Sequence, residues 1–297
     1  MEDIRTQTDL MSPIITLKDG RALGFASFGA PLGRPVLYFH GGDSSRLEAQ
    51  WYAEAAAKLN IWLIAPDRPG FGLSEFQPGR TILDWSKDLV QLVDALGIDQ
   101  FSVLGLSGGA PFVAAACLKL PHRIRRATIV SGIAPPEMPQ RLHGMWFPVR
   151  MIFFLARWFP RLNAVFLRQM AKFYANPARM MARMKQSLPE PDQVLLEQRP
   201  EIFEIFSLSA QEAHRNGVQG DAWEWRLYVK PWGLRLSEIK TEIELWYGEY
   251  DRNTPQAMGH YYSHHFAKSY LNIVHNGGHF STINNHIEPI LTYLGSC

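Results

Sequence analysis

The chain has 297 residues, of which 46% are apolar and 20% are charged, and its formal net charge is +2. This length and apolar fraction predict a globular protein that is either one large domain or a domain with an insertion. A net charge so close to zero gives no general attraction to nucleic acid, so no nucleic-acid partner is expected. The only two cysteines, Cys117 and Cys297, exclude a disulfide framework.

The first residues, Met1-Glu-Asp-Ile-Arg, lack the basic and apolar pattern of a secretory leader. The expected location is therefore the cytoplasm, where thiols stay reduced. Cys117 falls in an apolar helical stretch and is expected to be buried. Cys297 is the last residue and has no room for a prenylation box after it.

In chain order, the first pattern is a hairpin over residues 14–26 that turns at Asp19-Gly20. Short apolar runs then alternate with helical stretches. The runs predicted as strands are 36–39, 61–65, 101–104, 127–130, 243–247 and 270–275, and the predicted helices are 46–59, 81–96 and 110–120. This alternation is typical of an α/β fold with a mostly parallel central sheet and helices on both faces.

The alternation stops near residue 134 and resumes near residue 239. We interpret 135–235 as a helical cap inserted between late strands, and 1–134 with 236–297 as the core. The cap is rich in Trp, Phe and Met, and residues 138–187 contain basic residues but no Asp or Glu.

One interpretation of this cap is an apolar face packed over the core with solvated arginines. Another is an adaptable apolar pocket for a substrate, with Phe153, Phe154 and Trp158 as the expected contacts. The apolar run 146–159 is too short to cross a bilayer, so stable membrane insertion is not expected. Transient contact with a membrane surface stays open, because basic amphipathic helices lie in the interface.

The pentapeptide Gly105-Leu106-Ser107-Gly108-Gly109 lies between an apolar strand-like run and a helical run. A Gly-x-Ser-x-Gly in this context is a nucleophile elbow, in which a sharp turn projects the serine hydroxyl above the sheet. The flanking glycines are required because strand and helix nearly touch there. Ser107 is therefore the candidate nucleophile.

A serine hydroxyl needs a base to activate it, and the base needs an acid that orients it. In this motif class the acid and then the histidine follow the serine along the chain. Asp251 follows a predicted strand that ends at Gly248, with Glu249 as an alternative acid. His279 follows the next strand and a Gly-Gly turn, unlike His264, His265, His275 and His286.

With these motifs in place, the chain resembles the α/β-hydrolase family. Further segments that match are His40-Gly41-Gly42, residues 67–74, residues 248–255 and Gly278-His279-Phe280. The resemblance implies that Ser107 is the nucleophile, His279 the general acid and base, and Asp251 its orienting acid.

The same resemblance implies that an oxyanion hole forms from the backbone N–H of Gly108 and a second donor after His40-Gly41. Gly42 is the expected second donor and Asp43 the alternative, since this chain has Asp43-Ser44-Ser45 where the family often has Pro and Gly. No cofactor is implied. Neither the His260/His264 nor the His275/His279 spacing comes with a third ligand, so no metal site is expected.

We therefore predict a serine hydrolase that cleaves an ester of a small, largely apolar substrate through an acyl-enzyme. A carbon–carbon bond hydrolase uses the same residues. An aminopeptidase of the proline iminopeptidase type needs acidic groups in the cap, for which Glu201, Glu204 and Glu212 are candidates. A non-enzymatic receptor with the same fold is a further alternative, and the sequence leaves the oligomeric state open. Epoxide hydrolases and dehalogenases are disfavoured, because they carry Asp at the nucleophile position.

Overall fold

The structure is a computed structural model that describes residues 13–174, 176, 180–181 and 187–296. Three parts of the sequence analysis fall outside these residues: the lack of a leader at the N-terminus, the terminal Cys297, and the cap at 175, 177–179 and 182–186. Cys117 is fully buried, as its apolar helix predicts.

An eight-stranded sheet forms the centre of the described chain, in the order β1-β2-β4-β3-β5-β6-β7-β8. β1 and β2 pair antiparallel, β2 pairs antiparallel with β4, and every later neighbour is parallel. The strands are β1 Ile14–Thr16, β2 Ala22–Gly29, β3 Arg34–Phe39, β4 Ile61–Pro66, β5 Phe101–Leu106, β6 Ile124–Val130, β7 Ile243–Gly248 and β8 Ser269–Val274. The predicted α/β class and mostly parallel sheet are confirmed.

Helices cover both faces of the sheet and form the insertion after β6. The core helices are α1 Ala53–Lys58, α2 Trp85–Ala95, α3 Ala110–Lys119, α9 Gln256–His265 and α10 His279–Gly295. The insertion holds α4 Phe147–Trp158, α5 Pro160–Tyr174, α6 Glu190–Gln198, α7 Pro200–Ala213 and α8 Gln219–Tyr228. Short 3-10 segments occupy Arg46–Tyr52, Ser107–Gly109 and Leu236–Glu238.

The two faces of the sheet have separate apolar cores, and β3 shows how one strand supplies both. Leu37 and Phe39 pack in the cluster that contains α2, α3 and α9. Val36 and Tyr38 pack in the cluster with α1 and α10. Successive side chains on a strand point to opposite faces, so a strand covered on both sides is continuously apolar. This burial on both faces explains why the strands appear in the sequence as uninterrupted apolar segments.

Predicted boundaries differ from the observed ones mainly at helix starts. The predicted helix 46–59 is a 3-10 segment, Arg46–Tyr52, followed by the α-helix α1. The helix predicted to begin at residue 81 begins at Trp85, after Thr81 and Asp84 bond to each other in a turn. Such polar side chains compete with helical backbone bonds, which delays the helix start.

Candidate active site

Ser107 lies at the end of β5, at the carboxyl edge of the parallel sheet, with a backbone φ of +52°. This left-handed conformation is costly for a residue with a side chain and requires support from its surroundings. A methyl group at Gly105 would lie 2.5 Å from Cγ2 of Val113 on α3, and one at Gly109 would meet the carbonyl oxygen of Phe39. Both glycines therefore allow the strand and helix to approach closely, as the elbow motif predicts.

Asp251 and His279 come together across the loops that follow β7 and β8. Nδ1 of His279 lies 2.8 Å from Oδ2 of Asp251. The carboxylate also accepts bonds from the backbone N–H groups of Asn253 and Thr254 and from the Thr254 hydroxyl, at 2.8 to 2.9 Å. These donors hold Asp251 so that its remaining lone pair is directed at the imidazole.

The electrostatics of this pair favour a charged carboxylate and a basic imidazole. Burial raises the pKa of Asp251, but the charge and hydrogen bond of His279 and the Thr254 donors outweigh it, so the pKa is lowered. Burial likewise disfavours the charged form of His279, yet Asp251 raises its pKa above the ordinary 6.5. An imidazole of raised basicity is suited to accept a proton.

The alternative acid and histidines lie elsewhere. Glu249 lies at the surface, with its carboxylate 3.5 Å from Nδ1 of the exposed His275. His264 and His265 are exposed on α9, where each bonds to the carbonyl four residues before it. His286, on α10, packs against Trp246 of β7. Of the histidines after the nucleophile, His279 is therefore the one that shares a cavity with Ser107.

A cavity of about 970 Å³ lies between the core and the insertion and contains Ser107 and His279. These two side chains are not hydrogen-bonded to each other in the described chain, as is common before substrate binds. Most of the wall is apolar. It includes Leu106, Ile133, Trp146, Pro148, Val149, Ile152, Phe153, Met170, Phe173, Leu188, Phe206, Trp225 and Phe280.

The expected oxyanion donors lie side by side at the floor of this cavity. A methyl group at Gly108 would lie 2.9 Å from the backbone nitrogen of Gly42, so the two peptides are neighbours. Gly42, Asp43 and Gly108 all line the cavity. Asp43 has a φ of +54°, and its carboxylate accepts a bond from the Tyr174 hydroxyl at 3.0 Å. This arrangement leaves Gly42 as our preferred second donor.

The three expected substrate contacts on α4 lie on different sides of the helix. Phe153 is buried, lines the cavity and packs edge to face on Trp225. Phe154 and Trp158 are exposed and lie outside the cavity wall, so their assignment is corrected. Phe154 follows Phe153 by about 100° around a helix, which carries it to the other side. The apolar composition of α4 did not reveal that this helix is apolar on two faces.

A carboxylate from the insertion, Asp192 on α6, binds the start of the helix that carries His279. Its oxygens accept bonds from the backbone N–H groups of His279, Phe280 and Ser281, at 2.8, 3.2 and 2.8 Å, and from the Ser281 hydroxyl at 2.7 Å. These are otherwise unsatisfied helix N-terminal donors, and the helix dipole favours an anion there. Sequence reasoning missed Asp192, because nothing local links it to a residue 87 positions away.

A second carboxylate of the insertion, Glu224 on α8, reaches the His40-Gly41-Gly42 loop through an arginine. Arg68 donates to the carbonyls of His40 and Gly41, at 2.6 and 3.0 Å, and bonds both oxygens of Glu224. Arg80 pairs with the same carboxylate at 2.9 Å. Burial raises the pKa of Glu224, but the two arginines lower it to about 2. The loop before Gly42 is thus connected to the insertion after β6.

His40 and Glu48 brace the same loop from the core side. His40 is buried and bonds the Gly41 carbonyl, and burial lowers its pKa well below 6.5. Glu48 accepts bonds from the Gly41 N–H at 2.7 Å and from the Tyr38 hydroxyl at 2.6 Å. Burial raises the pKa of Glu48 despite these donors. Glu48 lines the cavity and was not found from the sequence.

A cluster of Asp43, His214 and Asp221 is the group in the described chain that could hold a cation, with one ligand atom each within 4.8 Å. His214 already contacts Asp221 at 3.3 Å and donates to the Ala210 carbonyl. Burial disfavours a charged His214, but Asp221 and Asp43 raise its pKa to about 9. Burial and the nearby Asp43 carboxylate raise the pKa of Asp221 well above its ordinary value, so His214 and Asp221 titrate as a pair.

The three glutamates considered for binding an ammonium group do not line the cavity. Glu201 and Glu204 are exposed on α7. Glu212 pairs with Arg46 and Arg215, at 2.7 and 2.8 Å. An aminopeptidase site built from these residues is therefore not present in the described cavity.

A family model described as the alpha/beta hydrolase fold matches residues 34–285. The chain belongs to the α/β-hydrolase fold family. The match extends from β3 into α10 and includes Ser107, Asp251 and His279.

Individual proteins resemble shorter parts of this hydrolase-fold chain. An uncharacterized hydrolase, YcgS, of Bacillus subtilis is 29% identical over 156 residues, which is 48% of this chain and 54% of that protein. A 2-hydroxy-6-oxo-2,4-heptadienoate hydrolase of Pseudomonas putida is 29% identical over 121 residues, 38% of this chain and 43% of that protein. The chain thus spans about half of these relatives.

Among solved structures, a thermophilic esterase from Thermogutta terrifontis superposes with a TM-score of 0.68. The superposition covers 96% of this chain and 99% of the esterase, at 20% identity, and so shows a shared fold. No helix among the described residues has the length and apolar character needed to cross a membrane.

Proposed function

We propose that this α/β-hydrolase is a serine hydrolase that cleaves an ester of a small, largely apolar substrate. The observation that carries the proposal is the constellation in one cavity: Ser107 on a left-handed turn, and His279 bonded to Asp251 at 2.8 Å. Each group follows a different parallel strand, and the carboxyl edge of such a sheet is where reactive groups meet.

In the proposed reaction, the Ser107 oxygen attacks the ester carbonyl carbon while His279 takes the serine proton. The N–H groups of Gly108 and Gly42 bind the oxyanion of the tetrahedral intermediate. The carbon–oxygen bond to the alcohol then breaks, and His279 returns the proton to the departing alcohol. Water, deprotonated by His279, attacks the acyl-enzyme and releases the acid and the free serine.

The wall of the cavity supports an apolar acyl or alcohol group. Val149, Ile152 and Phe153 of α4 and Met170 and Phe173 of α5 offer carbon surface, and Met can adapt to different shapes. Of the three carboxylates that line the cavity, Asp192 bonds the α10 start, Glu48 bonds Gly41, and Asp43 accepts from Tyr174 through one oxygen while its buried Oδ1 has no hydrogen-bond partner among the described residues. A substrate ammonium would have to compete with the bonds of Asp192 and Glu48, which disfavours an aminopeptidase that relies on these two carboxylates.

A carbon–carbon bond hydrolase is the second candidate, favoured by the similarity to the heptadienoate hydrolase of Pseudomonas putida. The same nucleophile and base would act on a ketone carbonyl instead of an ester. The exposed Arg252, beside Asp251, lines the cavity and offers a cation for a substrate carboxylate.

The test combines active-site labelling with a substrate series. Purified protein is treated with a fluorophosphonate probe, and p-nitrophenyl esters of increasing chain length are assayed beside a 2-hydroxy-6-oxo-dienoate. We expect labelling at Ser107 and turnover of esters, and a loss of roughly a millionfold in Ser107→Ala. Turnover of the dienoate alone would select the second candidate. Near-normal activity in a folded Ser107→Ala protein would end both.

A further inference from the structure

The outer side of the α4–α5 pair carries exposed large apolar side chains. Phe147 and Trp158 are each 65% exposed, and Phe154 is 49% exposed. Phe154 and Trp158 lie seven and eleven positions after Phe147, so at about 100° per residue the three side chains form one stripe along α4. Phe159 contacts Phe154, with ring centroids 5.9 Å apart, and the exposed Leu162 and Val165 follow on α5.

Cations flank this apolar stripe. Residues 138–187 contain nine Lys and Arg residues and no Asp or Glu, although the whole chain has a net charge of only +2. Five of these cations are exposed on α4 and α5: Arg150, Arg157, Arg161, Arg168 and Lys172. No ion pair with a carboxylate of the described chain neutralises any of the five. We define the α4–α5 surface as these five cations with Phe147, Phe154, Trp158, Phe159, Leu162 and Val165.

The opposite side of the same two helices is already used by the fold. Ile152, Phe153 and Ala156 of α4 are buried, and α4 and α5 both pack against α8. Packing among the described residues therefore accounts for one apolar side of α4 but not for the stripe that contains Trp158. Contiguous exposed apolar surface of this kind marks an interaction site.

We propose that the α4–α5 surface docks on an anionic phospholipid bilayer. Helices that lie in a membrane interface combine Trp, Phe and Leu on one side with Lys and Arg at the edges. The apolar stripe would enter the boundary between headgroups and acyl chains, and the arginines would contact lipid phosphates. A second copy of this chain fits less well, since a symmetric contact would bring two sets of five cations together.

Docking in this orientation would place the cavity next to the lipid. Pro148, Val149, Ile152 and Phe153 line the cavity from the inner side of α4, and Met170 does so from α5. The surface and the cavity wall are thus two sides of one helical pair. An apolar substrate dissolved in the membrane could enter the cavity beside this pair. The docking itself does not depend on the proposed reaction.

The test is binding of the full chain to vesicles of phosphatidylcholine, with and without phosphatidylglycerol, measured by co-sedimentation at low and high salt. We expect binding to the anionic vesicles that weakens with salt. Phe154→Ser and Trp158→Ser should each weaken it roughly tenfold. Arg150→Glu and Arg161→Glu should each weaken it by roughly fivefold or more.

Matched controls come from other exposed positions. Tyr270→Ser removes an aromatic side chain that is 62% exposed on β8, and Lys119→Glu reverses an exposed charge at the end of α3. Both should bind as the wild type does. Binding that is absent at low salt, or equally strong in all variants, would overturn the proposal. The proposal would also be overturned if the protein formed a dimer that Trp158→Ser dissociates and neither the wild type nor any variant bound lipid.

Discussion

A left-handed backbone at Ser107 costs free energy that the surrounding fold must supply. The cost for a residue with a side chain is about 1 to 2 kcal/mol. The close contacts of Gly105 with α3 and of Gly109 with β3 hold the turn in this shape. The strain is therefore part of how the hydroxyl is presented at the edge of the sheet.

Asp251→Asn is expected to lower kcat by about ten-thousandfold, since an amide donor facing Nδ1 favours the wrong tautomer of His279. Asp251 also raises the pKa of His279, and the imidazole must be neutral to accept a proton. In the wild type, kcat/KM should therefore rise with pH through a value above 6.5. In the variant this rise should move to lower pH.

The measurement is the pH dependence of kcat/KM for an ester, with Glu249→Gln as the matched control. Glu249 is a neighbouring carboxylate that pairs with the exposed His275. The control should leave both the rate and the pH profile close to the wild type. Reversal of the two effects would assign the orienting acid to Glu249.

At the scale of single helices, α4 places one phenylalanine in the cavity wall and the next one at the surface. Phe153→Ala opens space in the cavity wall, whereas Phe154→Ala removes an exposed ring. We expect Phe153→Ala to change the ranking of acyl chain lengths by roughly ten- to two-hundredfold in kcat/KM. Phe154→Ala should keep the wild-type ranking. An unchanged ranking in a folded Phe153→Ala protein would place the pocket in the core loops.

The contact between α6 and α10 links the cap to the candidate base. Removing the Asp192 carboxylate leaves the first N–H groups of α10 without an acceptor, which costs about 1 to 2 kcal/mol. Because His279 is the first residue of α10, a small tilt should misplace its ring and lower kcat by roughly ten- to a hundredfold. KM should change much less.

Asp192→Ala and Asp192→Asn test this contact, and kinetics and thermal unfolding measure it. Glu190→Gln is the control, since this carboxylate lies in the same helical turn but is exposed. Asparagine retains one acceptor oxygen and should recover part of the lost kcat. A wild-type kcat in a folded Asp192→Ala protein would mean that the cap does not position His279.

At the scale of the whole molecule, a buried ion cluster holds the cap to the core. Glu224 of α8 forms ion pairs with both Arg68 and Arg80, and all three side chains are almost fully buried. Breaking such a cluster on one side leaves buried charges without compensation. The insertion after β6 is therefore packed into the fold, and Arg68 connects it to the carbonyls of His40 and Gly41.

Glu224→Gln should lower the free energy of unfolding by about 3 to 5 kcal/mol. Glu238→Gln breaks an exposed pair with Arg235 and should cost under about 1 kcal/mol. Since the folded pKa of Glu224 is about 2, below its ordinary 4.5, its contribution is present above pH 4.5 and is lost as the pH falls toward 2. Urea unfolding at neutral and acidic pH measures both effects. Equal losses in the two variants would contradict a structural role for the cluster.

The sequence by itself determined the strand and helix alternation, the elbow at Ser107, and the loops that carry Asp251 and His279. Strand periodicity, turn residues and a five-residue motif are local, so they can be read without the fold. Family membership is consistent with those motifs, since the matched residues 34–285 include all three side chains.

Only the tertiary structure decided which side of each cap helix meets the core. The residues 153 and 154 are adjacent and chemically identical, yet one lines the cavity and the other is exposed. The contacts of Asp192 with α10 and of Glu224 with Arg68 join residues 87 and 156 positions apart. No sequence period encodes such contacts, because they depend on how the cap packs on the sheet. Burial, charge pairing and the cavity wall are properties of that packing.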